Sequence, residues 1–123
     1  MELFKELQNQ MHDYRFRPDK RIGQNFIIGE FVIEKMIGAA ELKQTDVVLE
    51  VGPGTGFLTQ QLLNHCKVVA VELDDVLFEL LNEKFKEEIE SKKLTLIHGN
   101  ILSVKLPKFN KVVSLPPYHI SSL

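Results

Sequence analysis

The first residues from which chemistry can be argued are three glycines at alternate positions, Gly52, Gly54 and Gly56. Glycine has no side chain, so a glycine-rich loop lets backbone groups approach a ligand closely. The preceding residues 47–51 are apolar except for Glu50, which is typical of a strand buried on both faces. Residues 57–65 have apolar side chains at helical spacing. Strand, glycine loop and helix together predict the opening of a nucleotide-binding α/β unit.

The spacing of the glycines separates two classes of nucleotide-binding loop. A dinucleotide-binding loop has the pattern Gly-x-Gly-x-x-Gly, in which the third glycine would stand at position 57. That position holds Phe57, and the third glycine comes one residue earlier, at Gly56. The spacing therefore disfavours a nicotinamide-dependent oxidoreductase. That activity stays open as an alternative, together with a tight turn that binds no ligand.

Two polar side chains stand where further strands are predicted to end. Glu72 closes the apolar run 68–71 and comes twenty residues after Gly52, where a carboxylate can accept hydrogen bonds from both hydroxyls of a ribose. Asn100 follows the apolar run 94–97. Its side-chain oxygen could accept from an adenine amine, although an Asx turn without a ligand accounts for the same residue type.

Alternating strands and helices have to position these residues. Helical periodicity is present in residues 1–14, 31–42, 57–65 and 76–90, and short apolar runs predict strands at 47–51, 68–72, 94–97 and 111–114. Residues 20–27 are predicted to form a loop, because Gly23 stands beside two amides and two cations. The alternation predicts a parallel sheet that binds its ligand along the carboxyl ends of its strands.

The composition is that of a globular protein without extreme charge. Of the 123 residues, 44% are hydrophobic, and neither a signal peptide nor an apolar run long enough to cross a membrane is present. The single cysteine, Cys66, cannot form an internal disulfide, which fits a reducing cytoplasm. A net charge of −2 argues weakly against an extended nucleic-acid surface. A basic cluster at Arg15, Arg17, Lys20 and Arg21 either faces solvent or contacts such a partner.

Four stretches of the chain resemble the ribosomal RNA adenine dimethyltransferases. They are residues 21–26 (Arg-Ile-Gly-Gln-Asn-Phe), 50–56 (Glu-x-Gly-x-Gly-x-Gly), Glu72, and 112–122, and the resemblance covers residues 14–122. The first and last stretches are specific to this family. The resemblance implies a Rossmann-like fold that depends on S-adenosylmethionine (SAM), and methyl transfer from SAM to the exocyclic amine of adenines in small-subunit rRNA.

The resemblance also implies roles for individual residues. Gln24, Asn25 and Ile27 would line the methionine end of SAM, with Gly52, Gly54 and Gly56 in the loop beneath it, Glu72 on the ribose hydroxyls and Asn100 on the adenine amine. Residues 112–122 would form the catalytic loop, in which the Pro116 carbonyl accepts a hydrogen bond from the target amine and Tyr118 stacks on a flipped-out adenine. No metal ion is implied.

The catalytic loop departs from the family pattern, which is Asn-Leu-Pro followed by Tyr or Phe, because Leu115 occupies the Asn position and Pro116 comes next. Where the family has Asn, this chain has Leu115, which offers no side-chain acceptor. The lone pair of an adenine amine is delocalised into the ring, so acceptors must draw its hydrogens out of plane before it attacks a methyl group. Losing one such preorganised group costs roughly 100- to 1000-fold in rate. The sequence therefore predicts a slow or inactive enzyme.

Length is the second departure from the family. Residues 1–28 are predicted to form an N-terminal helix and a cofactor-lid motif, and residues 29–123 a Rossmann-like half-sheet truncated after the fourth strand. The leading hypothesis is a cytoplasmic rRNA methyltransferase whose partner is the small-subunit rRNA or pre-ribosomal small subunit. The alternative is a non-catalytic or truncated relative that binds SAM or RNA and has lost the catalytic Asn at Leu115.

Overall fold

The computed structural model describes residues 20–115, with side chains described from residue 30 onwards. Its strands are β1 (Val47–Val51), β2 (Lys67–Glu72), β3 (Leu94–His98) and β4 (Lys111–Val112), and its helices are α1 (Lys20–Ala40), α2 (Phe57–Leu63), α3 (Asp75–Lys84) and α4 (Lys86–Glu90). The strands form one parallel sheet in the order β3-β2-β1-β4. The α/β architecture and the parallel sheet are as the sequence predicts.

The main core lies between the sheet and the helices. Successive side chains of a strand point to opposite faces, and Val48, Val68 and Ala70 enter this core while Leu49 and Val69 do not. The helices add apolar side chains at helical spacing, among them Ile33 of α1, Leu62 of α2 and Leu81 of α3. The sheet is therefore covered on one face by α1, which precedes β1, and by helices that connect its strands.

A smaller cluster covers the opposite face of the sheet. It consists of Leu49, Val69 and Val71, with partly buried apolar residues packed against them: Val47, Val51, Ile97, Ile101, Val104 and Leu106. Three of these come from the loop after β3 rather than from a helix. Within residues 20–115 this second face therefore carries a thinner layer than the first.

The amino end of the sheet is tied together by a polar network around Asp46. Its side chain accepts hydrogen bonds from the Asn110 amide at 2.7 Å and the Lys43 N–H at 2.8 Å, and it pairs with Lys111 at 3.0 Å. Lys111 also donates to the carbonyls of Ala40 and Glu41 at the end of α1. This network fixes α1, β1 and β4 relative to one another at the amino ends of the strands, opposite to the glycine loop.

Three secondary-structure predictions need correction. Residues 20–27 are helical rather than a loop, because one glycine costs a helix only about 1 kcal/mol and the strongly periodic residues 31–40 continue the same helix. The helix predicted over 76–90 is interrupted at Phe85 (φ −110°, ψ 29°), whose buried ring packs against the glycine loop. Strand β4 ends at Val112, two residues early, for a reason given below.

Some of the sequence predictions fall on residues outside the described part. The helix predicted in residues 1–14 lies outside it, as do Pro116 and Tyr118. Cys66 is a buried, free thiol, and burial raises its pKa. In residues 20–115, no helix combines the length and the apolar character that crossing a bilayer would require.

Candidate functional site at the carboxyl edge of the sheet

The carboxyl ends of three parallel strands lie side by side. Val51 of β1 is paired with Val71, and Glu72 of β2 is paired with His98 of β3. Backbone hydrogen bonds continue past the strand ends, from Gly52 N–H to the Val71 carbonyl at 2.8 Å and from Gly99 N–H to the Glu72 carbonyl at 3.0 Å. The glycine loop, Glu72 and Asn100 are therefore brought to one edge, as the sequence predicts.

Glu72 is a buried carboxylate held against the glycine loop. Only 5% of the residue is exposed. Its Oε1 accepts from the Gly54 N–H at 3.1 Å, and its Oε2 accepts from the Asp74 N–H at 2.9 Å. A carboxylate oxygen has two acceptor positions, so each oxygen keeps capacity for one more donor. The arrangement fixes both the loop and the acceptor atoms that the sequence assigns to a ribose.

Two of the three glycines serve different purposes. Gly54 has φ +62°, and no described atom would lie within 4 Å of a Cβ built there. Gly56 has φ +90°, and a Cβ there would lie 2.6 Å from the Phe85 ring and 3.1 Å from Leu81. Packing against α3 therefore requires glycine at position 56, whether or not a ligand is bound. Gly54 instead faces open space beside the Glu72 carboxylate.

Lys84, at the end of α3, contacts the residues that end the glycine loop and begin α2. It was not identified from the sequence. Its ammonium donates to the Thr55 carbonyl at 3.2 Å and lies 4.9 Å from the centre of the Phe57 ring. A cation over an aromatic face is attracted to it electrostatically. The contact joins residues 29 positions apart in the chain, so no local pattern in the sequence could have indicated it.

Glu50, the acid of the glycine motif, is enclosed between β1 and α2. It is 2% exposed and accepts a hydrogen bond from the Thr59 hydroxyl. Burial, followed by repulsion from the Glu72 carboxylate, raises the pKa of Glu50 to about 8, against the lowering effect of the Thr59 hydrogen bond. The Glu50 carboxyl is therefore protonated at neutral pH. Its hydrogen bond with Thr59 joins β1 to α2.

Asn100 is engaged in the turn that follows β3. Its Oδ1 accepts from the Leu102 N–H at 2.9 Å, which is the Asx turn that the sequence left open. Beside it, His98 pairs with Asp75 at 2.8 Å and stacks on the Phe78 ring, so the end of β3 is braced against α3. A contact from Asn100 to an adenine amine stays a prediction.

The segment after β4 enters the same edge. The Ser114 hydroxyl donates to the Val51 carbonyl at 2.7 Å and accepts from the Val51 N–H at 3.2 Å. The next residue, Leu115, is partly buried and packs against the main core. The side chain at the family's Asn position is thus an apolar group in contact with other apolar groups. Pro116 and Tyr118, the other predicted catalytic residues, lie outside the described part.

The predicted lid residues lie in a helix. Gln24, Asn25 and Ile27 belong to α1, which continues across the predicted boundary between residues 28 and 29. Their assignment to the methionine end of a cofactor stays a prediction.

The family of the chain is decided by a comparison with protein-family models. The model of the family described as ribosomal RNA adenine dimethylase matches residues 15–123. The chain belongs to this family. The match includes both of the stretches that the sequence analysis found specific, residues 21–26 and 112–122.

Individual dimethylase relatives agree with the family match. A probable ribosomal RNA small subunit methyltransferase A of Pyrococcus furiosus is 46% identical over 110 residues, which are 89% of this chain and 39% of that protein. A ribosomal RNA small subunit methyltransferase A of Dehalococcoides mccartyi is 40% identical over 127 residues, covering 98% of this chain and 43% of the relative. The chain thus spans about two fifths of the length of these relatives.

A solved dimethylase structure shares the fold described above. The crystal structure of a dimethyladenosine transferase from Plasmodium falciparum matches with a TM-score of 0.62 and 34% identity, over 74% of this chain and 33% of that one. Family membership and shared fold together establish the Rossmann-like, SAM-dependent methyltransferase fold that the sequence predicts.

Proposed function

We propose that this chain is the cofactor-binding part of an enzyme that transfers methyl groups from SAM to the exocyclic amine of adenines in small-subunit rRNA. The observation that carries the proposal is the buried Glu72 carboxylate, held 3.1 Å from the Gly54 N–H at the carboxyl edge of the sheet. Because the chain belongs to the adenine dimethylase family, we assign the ribose of SAM to this carboxylate.

The residues present fit such a cofactor. Open space lies over Gly54, beside a carboxylate with acceptor capacity left on both oxygens. Leu73, next to Glu72, is 67% exposed and offers an apolar surface that suits the flat face of a nucleobase. When bound, SAM supplies an electrophilic methyl group on its sulfonium. The chain's own part is to orient that group and to exclude water from it.

The target amine would be activated from the catalytic loop. Acceptors around the amine nitrogen draw its hydrogens out of the ring plane, so that the lone pair becomes available. We assign one acceptor to the Pro116 carbonyl and stacking of the base to Tyr118, by the match of these positions to the family. Leu115 cannot act as the second acceptor, because its side chain is apolar and packs against the core.

Leu115 also favours a second candidate function. A relative that binds SAM or RNA without transferring a methyl group would have no need of the acceptor, and an apolar residue there strengthens packing. In that case the basic residues 15–21 would contribute an RNA surface. In either role the partner is the small-subunit rRNA or its precursor particle, and the compartment is the cytoplasm.

The cofactor site is tested by measuring ligand affinity by calorimetry, with one substitution in the protein and two forms of the ligand. Glu72→Gln should weaken binding of S-adenosylhomocysteine at least about tenfold, since hydrogen bonds to charged groups contribute about 1.5–3 kcal/mol. The same substitution should have a much smaller effect on the 2′-deoxy form of that ligand.

The comparison of the two ligands separates contact from support of the loop. Glu72 also bonds Gly54 and Asp74, so a general loosening of the loop would weaken both ligands equally. Equal losses would therefore contradict the ribose contact. Glu79→Gln, an exposed site on α3, is the matched control.

The two candidate functions are separated by Leu115→Asn in the protein at its full natural length. Restoring the acceptor should raise methyl transfer to small-subunit rRNA by roughly 100- to 1000-fold, measured as incorporation of labelled methyl groups. Leu115→Gln is the control, since it adds an amide of different reach. No methyl transfer by the parent or by either variant would favour the binding role, whereas an active parent with no gain would show that Leu115 does not limit the reaction.

A further inference from the structure

Side chains, rather than backbone groups alone, close both ends of the contact between β4 and β1. At the start of β4, the Asn110 side chain accepts from the Val47 N–H through Oδ1 at 2.7 Å. The backbone N–H of Asn110 donates to the Val47 carbonyl at 2.9 Å. At the other end, the Ser114 hydroxyl bonds both the N–H and the carbonyl of Val51. The pairing that these two residues enclose is only two residues long.

Ser114 occupies positions that a longer β4 would give to its backbone. The Val113 N–H donates to the Leu49 carbonyl at 3.1 Å. If the parallel pairing continued, Val51 would pair with residue 114. The Val51 N–H would then donate to the carbonyl of residue 113, and the Val51 carbonyl would accept from the N–H of residue 115. Instead, the Ser114 hydroxyl forms hydrogen bonds with both the N–H and the carbonyl of Val51. This explains why strand β4 ends early.

The Ser114 hydroxyl lies between the glycine loop and the predicted catalytic loop. Val51 is the last residue of β1 and directly precedes the glycine loop at Gly52. Ser114 directly precedes Leu115, where the catalytic loop leaves the sheet. A single side chain therefore joins the segment that would hold the methyl donor to the segment that would hold the methyl acceptor.

We propose that Ser114 is a positioning residue for methyl transfer, because its two hydrogen bonds to Val51 fix the catalytic loop relative to the glycine loop. This inference rests on the proposed function. A hydroxyl is donor and acceptor at once, so it can bond both groups of one residue, which an apolar side chain cannot do. Transfer between two held groups depends steeply on their alignment, and a displacement of about 1 Å can cost about 100-fold.

The test compares Ser114→Ala with Ser114→Thr in the protein at its full natural length. Ser114→Ala should lower kcat for methyl transfer to small-subunit rRNA by about 10- to 100-fold, while the Kd for SAM stays unchanged. Ser114→Thr keeps the hydroxyl and should restore most of kcat. Ser91→Ala removes a hydroxyl that bonds one carbonyl at the end of α4 and should change neither quantity.

Rates are expressed per SAM-binding site, so that loss of folded protein does not count as loss of positioning. If Ser114→Ala does not fold, Ser114→Cys gives the same comparison with a weaker hydrogen-bonding group. Full kcat in the variant without the hydroxyl, or a fall in kcat matched by a fall in SAM affinity, would overturn the positioning role alone. If the parent is too slow to measure, the same Ser114 variants are compared in the Leu115→Asn background. A protein that transfers no methyl group even with Leu115→Asn would refute the proposed function, and the positioning role with it.

Discussion

At the scale of single residues, Glu50 and Glu72 show how position decides what a carboxyl group does. The two side chains lie close enough for their charges to interact, and both are nearly inaccessible to water. Glu72 accepts hydrogen bonds from the backbone N–H groups of Gly54 and Asp74, so it holds the glycine loop. Glu50 is enclosed with the Thr59 hydroxyl as its partner, and burial raises its pKa to about 8, so it keeps its proton.

Glu50 should make the stability of the fold fall with rising pH. A carboxyl whose pKa is raised to about 8 contributes stability that is fully present below about 4.5 and is lost as pH rises through 8. Glu50→Gln keeps an acceptor for Thr59 but cannot ionise. We expect it to raise Tm by several degrees at pH 9 and to change it little at pH 5, in thermal unfolding followed by circular dichroism.

The control for Glu50 is Glu79→Gln, which is exposed on α3 and should show no such pH dependence. A difference in Tm between Glu50→Gln and the parent that is the same at pH 5 and pH 9 would contradict a raised pKa.

The glycine loop should separate into a structural and a ligand-facing position. Gly56→Ala should destabilise the fold by on the order of 3 kcal/mol, from backbone strain of about 1–2 and overpacking against Phe85 of about 1–3. Gly54→Ala should cost only about 1 kcal/mol of strain, but its methyl group would fill the open space over the loop.

Urea unfolding and SAM calorimetry on both glycine variants check this separation. Gly54→Ala should lose SAM affinity at least about tenfold, since its methyl group would occupy ligand space. Folded Gly56→Ala should keep its affinity. The reverse order of effects would show that the ligand lies over Gly56 instead.

At the scale of secondary-structure elements, side-chain bonds rather than long ladders hold the sheet edge. Strand β4 is two residues long, yet Lys111 reaches the end of α1, Asn110 closes one end of its pairing with β1, and Ser114 closes the other. The pairing of β1 with β2 and that of β2 with β3 instead run through five positions each. The short edge strand therefore depends on polar residues that a longer ladder would not need.

The Asp46 network should make this edge sensitive to acid. Hydrogen bonds from Asn110 and from the Lys43 N–H, together with Lys111, lower the pKa of Asp46 to about 2. Its contribution to stability is therefore present above about 4 and is lost as pH falls toward 2. Asp46→Asn should lower Tm by several degrees at pH 7, and the difference from the parent should shrink between pH 4 and pH 2.

Glu87→Gln, exposed on α4, is the control for the acid experiment. A deficit of Asp46→Asn that stays constant from pH 7 to pH 2 would mean that the charge of Asp46 does not contribute. In that case only the shape of the network would matter.

At the scale of the whole molecule, the described sheet has one thinly covered face and an edge. Within residues 20–115, β4 has a strand neighbour on one side only, and Val112 on it is 60% exposed. An edge strand with exposed apolar residues is a template for association. The chain spans about two fifths of the length of the relatives named above. In those relatives, the additional residues are available to cover an exposed edge strand or sheet face.

The isolated chain 1–123 should self-associate through this edge. We expect its apparent mass in light scattering to rise with concentration, and Val112→Lys to reduce that rise because a charge on an edge strand opposes pairing. Val76→Lys is the matched control, since Val76 is 45% exposed but lies on α3. Equal effects of the two substitutions would place the contact elsewhere or show that it depends on net charge alone.

The sequence by itself determined the parts of this protein that depend on local patterns. Short stretches of mainly apolar residues marked the strands, because a strand buried on both faces needs apolar side chains. The glycine spacing and Glu72 marked the binding edge, since parallel strands bring their carboxyl ends together. The match of residues 21–26 and 112–122 to one family did not depend on tertiary contacts at all.

Only the tertiary structure decided the roles that depend on contacts between distant residues. Gly56 faces Phe85, Lys84 holds the glycine loop, and the Ser114 hydroxyl bonds Val51, which is 63 positions away. Glu50 and Glu72 are both strand acids in the sequence, and only the fold shows that Glu50 bonds Thr59 on α2 while Glu72 bonds the glycine loop. Such contacts come from residues that are not neighbours in the chain, and no local pattern records them.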